Sequence, residues 1–84
     1  MSDAAAARAM LETVVRPLVG NPDAIEISEE RGGDEGTVVL ELSLDAGDYG
    51  RVIGRGGRTA NAVRQLVRAA AVRDGRRVLV DIVQ

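Results

Sequence analysis

The sequence predicts one α+β domain with the element order α-β-β-α-α-β. Three observations carry this. Residues 4–18 and 58–73 repeat apolar side chains at three- and four-residue spacing, as helices with one buried face do. Three shorter runs, near residues 25–28, 37–44 and 78–83, alternate apolar and polar residues as half-buried strands do. A glycine-rich turn at residues 54–57 splits the helical stretch between the second and third strands. A chain of 84 residues buries roughly 60% of its unfolded surface, enough for one core and not two. Residues 1–84 are therefore read as a single domain.

The N-terminal helix occupies residues 1–20. Ser2 or Asp3 caps it, and Met10, Leu11, Val14, Val15 and Leu18 form its apolar face. Gly20-Asn21-Pro22-Asp23 stops it. A strand hairpin fills residues 24–44. Ile25 and Ile27 alternate with Glu26 and Ser28, and Arg31 to Gly36 make a mobile connection. From Thr37 to Leu44, Val38, Leu40, Leu42 and Leu44 share one face while Val39, Glu41 and Ser43 share the other. A helix-turn-helix unit spans residues 45–75. Asp45 caps a short helix through Tyr49 and Val52, and a long helix runs from Arg58 to Arg73, closed by Asp74-Gly75. The last strand lies within residues 76–84, with Val78, Val80 and Ile82 on one face.

At 100° per residue from Ala60, the long helix places Val63, Leu66, Val67, Ala69 and Ala70 between roughly 180° and 340°. Arg64, Arg68, Asn61 and Gln65 fall between roughly 40° and 140°, with Arg58 just beyond. A polar stripe therefore starts at the glycine turn and continues along the helix. Val72 falls inside the polar arc, a weak sign of a protein contact.

Composition removes several chemistries. The chain has no cysteine, histidine or lysine, which excludes a thiol nucleophile, an imidazole base and the usual zinc ligands. No cofactor, metal or catalytic residue is expected, and no nucleophile–base pair is visible among the carboxylates, Ser28, Ser43, Thr37, Thr59 and Tyr49. Asp45 and Asp48 read as a helix cap and a solvated acid. The absence of disulfides and of a long apolar run favours a soluble, cytoplasmic protein with no membrane association. Tyr49 is the only aromatic residue, so the core is aliphatic.

The net charge of −2 conceals an asymmetry. Residues 1–50 hold three arginines against eleven acids, a net −8; residues 51–84 hold eight arginines against two acids, a net +6. An anionic ligand responds to the local field. The two halves could neutralise each other across the fold, a reading that suits Arg76 and Arg77 better than Arg51, Arg55 and Arg58. The last three crowd the stretch Gly50-Arg51-Val52-Ile53-Gly54-Arg55-Gly56-Gly57-Arg58. Glycines there let backbone approach a ligand closely, guanidinium forks suit phosphate oxygens, and amides at a helix start favour anions. That combination points to a phosphodiester backbone.

Val52-Ile53-Gly54-Arg55-Gly56-Gly57 resembles the signature of the KH domain, a nucleic-acid-binding module whose Gly-x-x-Gly loop joins two helices. The element order resembles its type II, bacterial form, which implies a three-stranded mixed sheet packed against three helices. Over nearly its full length the chain is similar to the small single-KH bacterial family of the KhpA type. Asn21-Pro22, Gly50 to Gly54, and Gly75-Arg76-Arg77-Val78 support this. The resemblance implies binding of single-stranded RNA over about four nucleotides. It also implies work as an RNA chaperone or post-transcriptional regulator, and a link to cell shape, cell wall organization and envelope homeostasis. The implied assembly is a homodimer or a heterodimer with a larger KH-containing, KhpB-type protein.

The expected RNA-binding set is Arg51, Val52, Ile53, Gly54, Arg55, Gly56, Gly57, Arg58, Asn61, Arg64 and Arg68. Val52, Ile53, Val63 and the second strand are expected to floor a groove for the bases. Side chains at Gly54 and Gly57 would hold the strand away. Tyr49, where relatives often carry Met or Leu, fits the core best, with groove wall and dimer contact as alternatives. Two other glycine-loop readings fail. The dinucleotide fingerprint needs Gly where Thr59 stands, and a P-loop needs Gly and Lys where Val52 and Arg58 stand. Single-stranded DNA as the ligand, or a dimerising adaptor with little RNA affinity, remain the alternatives.

Overall fold

The computed structural model describes residues 3–33 and 36–84. Its elements are α1 (Ala5–Val15), β1 (Glu26–Arg31), β2 (Thr37–Ser43), α2 (Tyr49–Ile53), α3 (Arg58–Ala71) and β3 (Arg77–Ile82). The α-β-β-α-α-β order and the mixed three-stranded sheet stand as expected. β2 is central, antiparallel to β1 and parallel to β3. The parallel pair follows from the connection: α2 and α3 carry the chain back so that β3 starts at the same end as β2. Part of the connection expected to be mobile, Asp34 and Glu35, lies outside the described residues.

One face of the sheet carries the helices. Leu11, Val15, Leu40, Leu42, Val52 and Val67 have no exposed surface. Each contributes about 1.5–3 kcal/mol by burial. The expected face of β2 is confirmed, with Val38, Leu40, Leu42 and Leu44 all in the core. The register places Glu30 beside Val39, Ser28 beside Glu41 and Asp81 beside Glu41 on the opposite, open face. Hydrogen bonding and charge from Glu30 raise the carboxyl of Glu41, helped by slight burial and by Asp81, while Ser28 pulls the other way.

Three local expectations are corrected. α1 ends at Val15, and Arg16–Leu18 tighten into a 3₁₀ turn because Pro17 has no amide to donate. Its start is not capped by Asp3, which instead pairs with Arg31 (2.8 Å) and Arg76 (3.7 Å); Ser2 lies outside the described residues. The cap comes from Asp74, 68 positions on, whose Oδ1 and Oδ2 accept from the Ala6 and Ala7 amides, each at 3.0 Å. On α3, burial falls on Ala60, Val63, Val67 and Ala71, while Leu66 is 46% exposed. The buried stripe is turned toward Ala60 because α3 must face both α1 and β3, and alanines allow the close approach.

Tyr49 packs against the core, and its hydroxyl donates to Val83 O and accepts from Leu44 N. The side chain that opens α2 thus ties it to the ends of β2 and β3.

Candidate nucleic-acid interface

α2 is short because Gly54 follows it at φ 75°, ψ 171°, a region closed to most side chains. The chain then makes a 3₁₀ turn over Arg55–Gly57, with Gly56 at φ 64° and Gly57 at φ 79°, before α3 begins. The Gly54 amide donates to Gly50 O (2.9 Å) and the Gly57 amide to Gly54 O (3.2 Å). Among the described residues, the Arg55 and Gly56 amides have no backbone acceptor. Gly57, the N-cap of α3, offers no side chain to its first turn. Open amides therefore stand where the α3 dipole is positive.

The glycines act for different reasons. A Cβ at Gly54 would run into Thr59 Oγ1 and stand 2.7 Å from Thr59 Cβ. Gly54 is thus required from inside, by its packing on Thr59, and not to make room for a strand. Cβ atoms at Gly56 and Gly57 would meet nothing within 4 Å, so their surface is open.

Arg55 and Arg58 are exposed at this turn; Arg51 is also exposed, but its guanidinium reaches back toward Gly20 at the other end of α2. Ion pairs among the described residues join Arg8–Glu29, Arg16–Glu12, Arg31–Asp3 and Arg76–Asp3. Of the eight arginines after Gly50, only Arg76 makes an ion pair among the described residues. Neutralisation across the fold therefore holds for Arg76 and fails for the loop arginines and for Arg77.

Along α3, Asn61 and Arg68 are exposed and Arg64 is half-buried. Arg64 donates from Nε to Val80 O (3.3 Å) and from a terminal nitrogen to Asn61 Oδ1 (3.5 Å). Two members of the expected groove floor are corrected: Val52 (0% exposed) and Val63 (4%) are core residues with almost no surface to offer a base. Ile53 keeps partial exposure. The second strand is also replaced as a wall, because β2 is bonded on both edges. The edge beside α3 belongs to β3. Arg77 N and Val83 N donate toward β2, to Gly36 O and Leu42 O, each at 3.0 Å. In a parallel ladder the alternate residues Val78, Val80 and Ile82 then turn their backbone groups outward. The Arg64 bond to Val80 O marks that free edge.

The sequence reading missed Asp48. It is 6% exposed, not a solvated acid, and it accepts from the Gly20 amide (2.9 Å) and the Asn21 amide (3.1 Å). It fastens the chain after α1 to the base of α2. Asp45 caps not α2 but the 3₁₀ turn Ala46–Asp48 that leads into it, accepting from Gly47 N (3.0 Å) and from Asn21 Nδ2 (3.3 Å); those bonds hold its carboxyl below the usual value. Among the described residues no group of acids is placed to hold a metal, and no helix is long and apolar enough to cross a membrane.

Comparison with known proteins agrees with this geometry. The family model described as KhpA/KhpB, KH domain, matches residues 8–82. The RNA-binding protein KhpA of Leifsonia xyli is 49% identical over 76 residues, covering 87% of this chain and 91% of its own. Those of Clostridium acetobutylicum and Caldanaerobacter subterraneus are 43% and 42% identical over 74 residues, covering 88% of this chain and 96% of their own. Among solved structures, Era in complex with MgGDPNP and nucleotides 1506–1542 of 16S ribosomal RNA aligns with a TM-score of 0.67 at 16% identity. That alignment covers 98% of this chain and 30% of Era, and it shows the fold alone.

Proposed function

The chain belongs to the KhpA/KhpB family of KH-domain proteins, and from that premise we propose that it is an RNA-binding protein that grips single-stranded RNA by its backbone at the Gly54–Gly57 loop. One observation carries the reading. Two open glycines, two amides without backbone acceptors and the exposed Arg55 and Arg58, which make no ion pair among the described residues, converge at the N-terminus of α3. Phosphate contacts of this kind position a strand without reading its bases. Bases then meet Ile53, Asn61 and the outward groups of β3. With no aromatic stacking platform, base preference is weak, which suits an RNA chaperone or a broad post-transcriptional regulator.

Family membership supports a second copy or a KhpB-type protein as partner. One KH unit holds few phosphates, and pairing raises avidity. Exposed Leu66 (46%) and Val72 (79%) give the helical side apolar surface for such a contact. The proposed role in cell shape and envelope homeostasis rests on the family resemblance alone.

The test replaces Arg55 and Gly56 by Asp. Both positions are exposed, and Asp tolerates the left-handed region of Gly56 better than most residues. Binding of an oligoribonucleotide is expected to vanish while the far-UV spectrum is kept. With Arg55 and Arg58 on phosphates, log K should fall with log salt at a slope of about −1.4, at 0.7 per contact. Native affinity in the double variant would overturn the proposal. Binding of single-stranded DNA as tight as RNA would move the function to DNA.

A further inference from the structure

α2 has five residues, too few to hold a helix in water, so its orientation is set by what it rests on. Val52, fully buried, seats it in the core. Apolar contact is non-directional and leaves a short helix free to turn. The directional contacts come from Asp48 and Tyr49, where α2 begins. Asp48 holds the Gly20 and Asn21 amides, in the connection that follows α1. Tyr49, the only aromatic residue of the chain, packs against the core and reaches the sheet. Its hydroxyl accepts from Leu44 N at 3.1 Å and donates to Val83 O, so one oxygen joins α2 to the ends of β2 and β3. β3 does not need that oxygen for its register, because Val83 N already donates to Leu42 O at 3.0 Å. What the hydroxyl adds is the direction of α2.

A short route connects it to the glycine loop. Gly50, the residue after Tyr49, accepts at its carbonyl from the Gly54 amide at 2.9 Å. Gly54 in turn abuts Thr59 in the first turn of α3, with no room for a Cβ between them. The first glycine of the loop is therefore set between the start of α2 and the start of α3. Turning α2 about its axis would carry the Gly50 carbonyl with it, and Gly54, Arg55 and Gly56 would follow. α3 cannot take up the change, because Ala60, Val63, Val67 and Ala71 fix it in the core.

We propose that Tyr49 is a positioning residue for RNA binding: its hydroxyl fixes the rotation of α2 on the sheet and thereby aims the Arg55 guanidinium and the Arg55 and Gly56 amides at the phosphates. This rests on the RNA reading proposed above and adds to it a residue that acts through the loop, since its hydroxyl is engaged by main-chain groups on both sides.

The experiment compares Tyr49→Phe with Val38→Ala in the full chain. Phe keeps the ring and loses both hydroxyl bonds. Val38→Ala trims the core at the start of β2, the end remote from Leu44 and α2, and lowers stability without touching the support of the loop. Labelled octauridylate is titrated at several salt concentrations, affinities are referred to the folded fraction from urea unfolding, and amide spectra are recorded by NMR without RNA. Tyr49→Phe is expected to bind about 2- to 10-fold more weakly, the weight of a hydrogen bond lost from the competent orientation. Its salt slope should keep the native value, because the molecules that bind still meet the same phosphates. Free of RNA, its Gly54 to Gly57 amides should shift. Val38→Ala should keep native affinity and unmoved loop amides. Native affinity in Tyr49→Phe, whatever its melting temperature, would reduce the hydroxyl to a stabilising bond and overturn the proposal. Equal weakening by Val38→Ala would trace the effect to lost stability and overturn it too. Unmoved loop amides in RNA-free Tyr49→Phe would overturn the positioning alone, and failure of the native protein to bind octauridylate would overturn the RNA reading itself.

Discussion

Gly54 and Gly56 stand two residues apart, both at positive φ, and are expected to fail differently when given a side chain. Backbone at φ 75°, ψ 171° costs a non-glycine residue about 1–3 kcal/mol. The added Cβ of Gly54→Ala also meets Thr59 Oγ1, Thr59 Cβ at 2.7 Å and Thr59 N at 2.9 Å. Forcing that contact costs about 1–3 kcal/mol more. The sum, about 2–6 kcal/mol, is a large share of the roughly 4–13 kcal/mol that a chain of this length has in total. Gly56→Ala meets nothing and bears only the left-handed penalty, about 1–2 kcal/mol. Urea unfolding followed by circular dichroism compares the two through the midpoint at constant m. Adding Thr59→Ala to Gly54→Ala should recover part of the loss, because Oγ1 leaves while Cβ and the amide stay. Gly54→Ala as stable as Gly56→Ala, or complete rescue by Thr59→Ala, would refute the account. RNA affinity should order the variants differently, since Gly56→Ala weakens binding in a protein that remains folded.

Two further outcomes follow from the carboxylates. Asp48→Ala strips the acceptor from two amides and should cost about 3–6 kcal/mol, at 1.5–3 per charged hydrogen bond; Asp48→Asn, keeping one acceptor, should cost about half, and equal thermal melts for the two would contradict the paired bond. Glu41→Gln should raise the melting temperature at pH 7 and lose that advantage near pH 4. Glu41 binds its proton more tightly folded than unfolded, so stability falls as pH rises from 4.5 through the raised value. A gain independent of pH would show that repulsion from Glu30 and Asp81 is not the cause.

Much of this was legible because it is local. The alternation of Val38, Leu40 and Leu42, the turn at Gly75 and the inter-helix glycine turn are all set by neighbours in sequence. The tilt of α3 was not legible. A hydropathy projection weights Leu66 above Ala60, yet the helix approaches α1 and β3 so closely that alanine goes in and leucine stays out. The functions of Asp48 and Asp74 were hidden for another reason. Each carboxylate serves amides 27 to 28 and 67 to 68 positions away, and no spacing rule connects them. Val52 and Val63 looked like groove floor because they flank the loop. The side chains next to a ligand-binding turn are also those that anchor it, and burial decides between the two uses.

The same sorting explains how an acidic chain presents a basic face. Asp3, Glu12 and Glu29 pair with arginines, and two further groups of acids are spent elsewhere. Asp45, Asp48 and Asp74 accept from backbone amides, and Glu30, Glu41 and Asp81 stand on the sheet face opposite the helices. Neither group pairs with a loop arginine. The sheet separates that acidic face from the helix layer that holds α3 by a distance comparable to the ~8 Å Debye length at physiological salt. A strand at the loop therefore feels the arginines with the acids largely screened. At 0.01 M salt the screening length grows to about 30 Å and the whole molecule, net −2, comes into view. Lowering the salt then strengthens each arginine contact while restoring repulsion from the far face. The slope of log K should bend toward zero at the dilute end, where a uniformly basic RNA-binding domain would keep climbing.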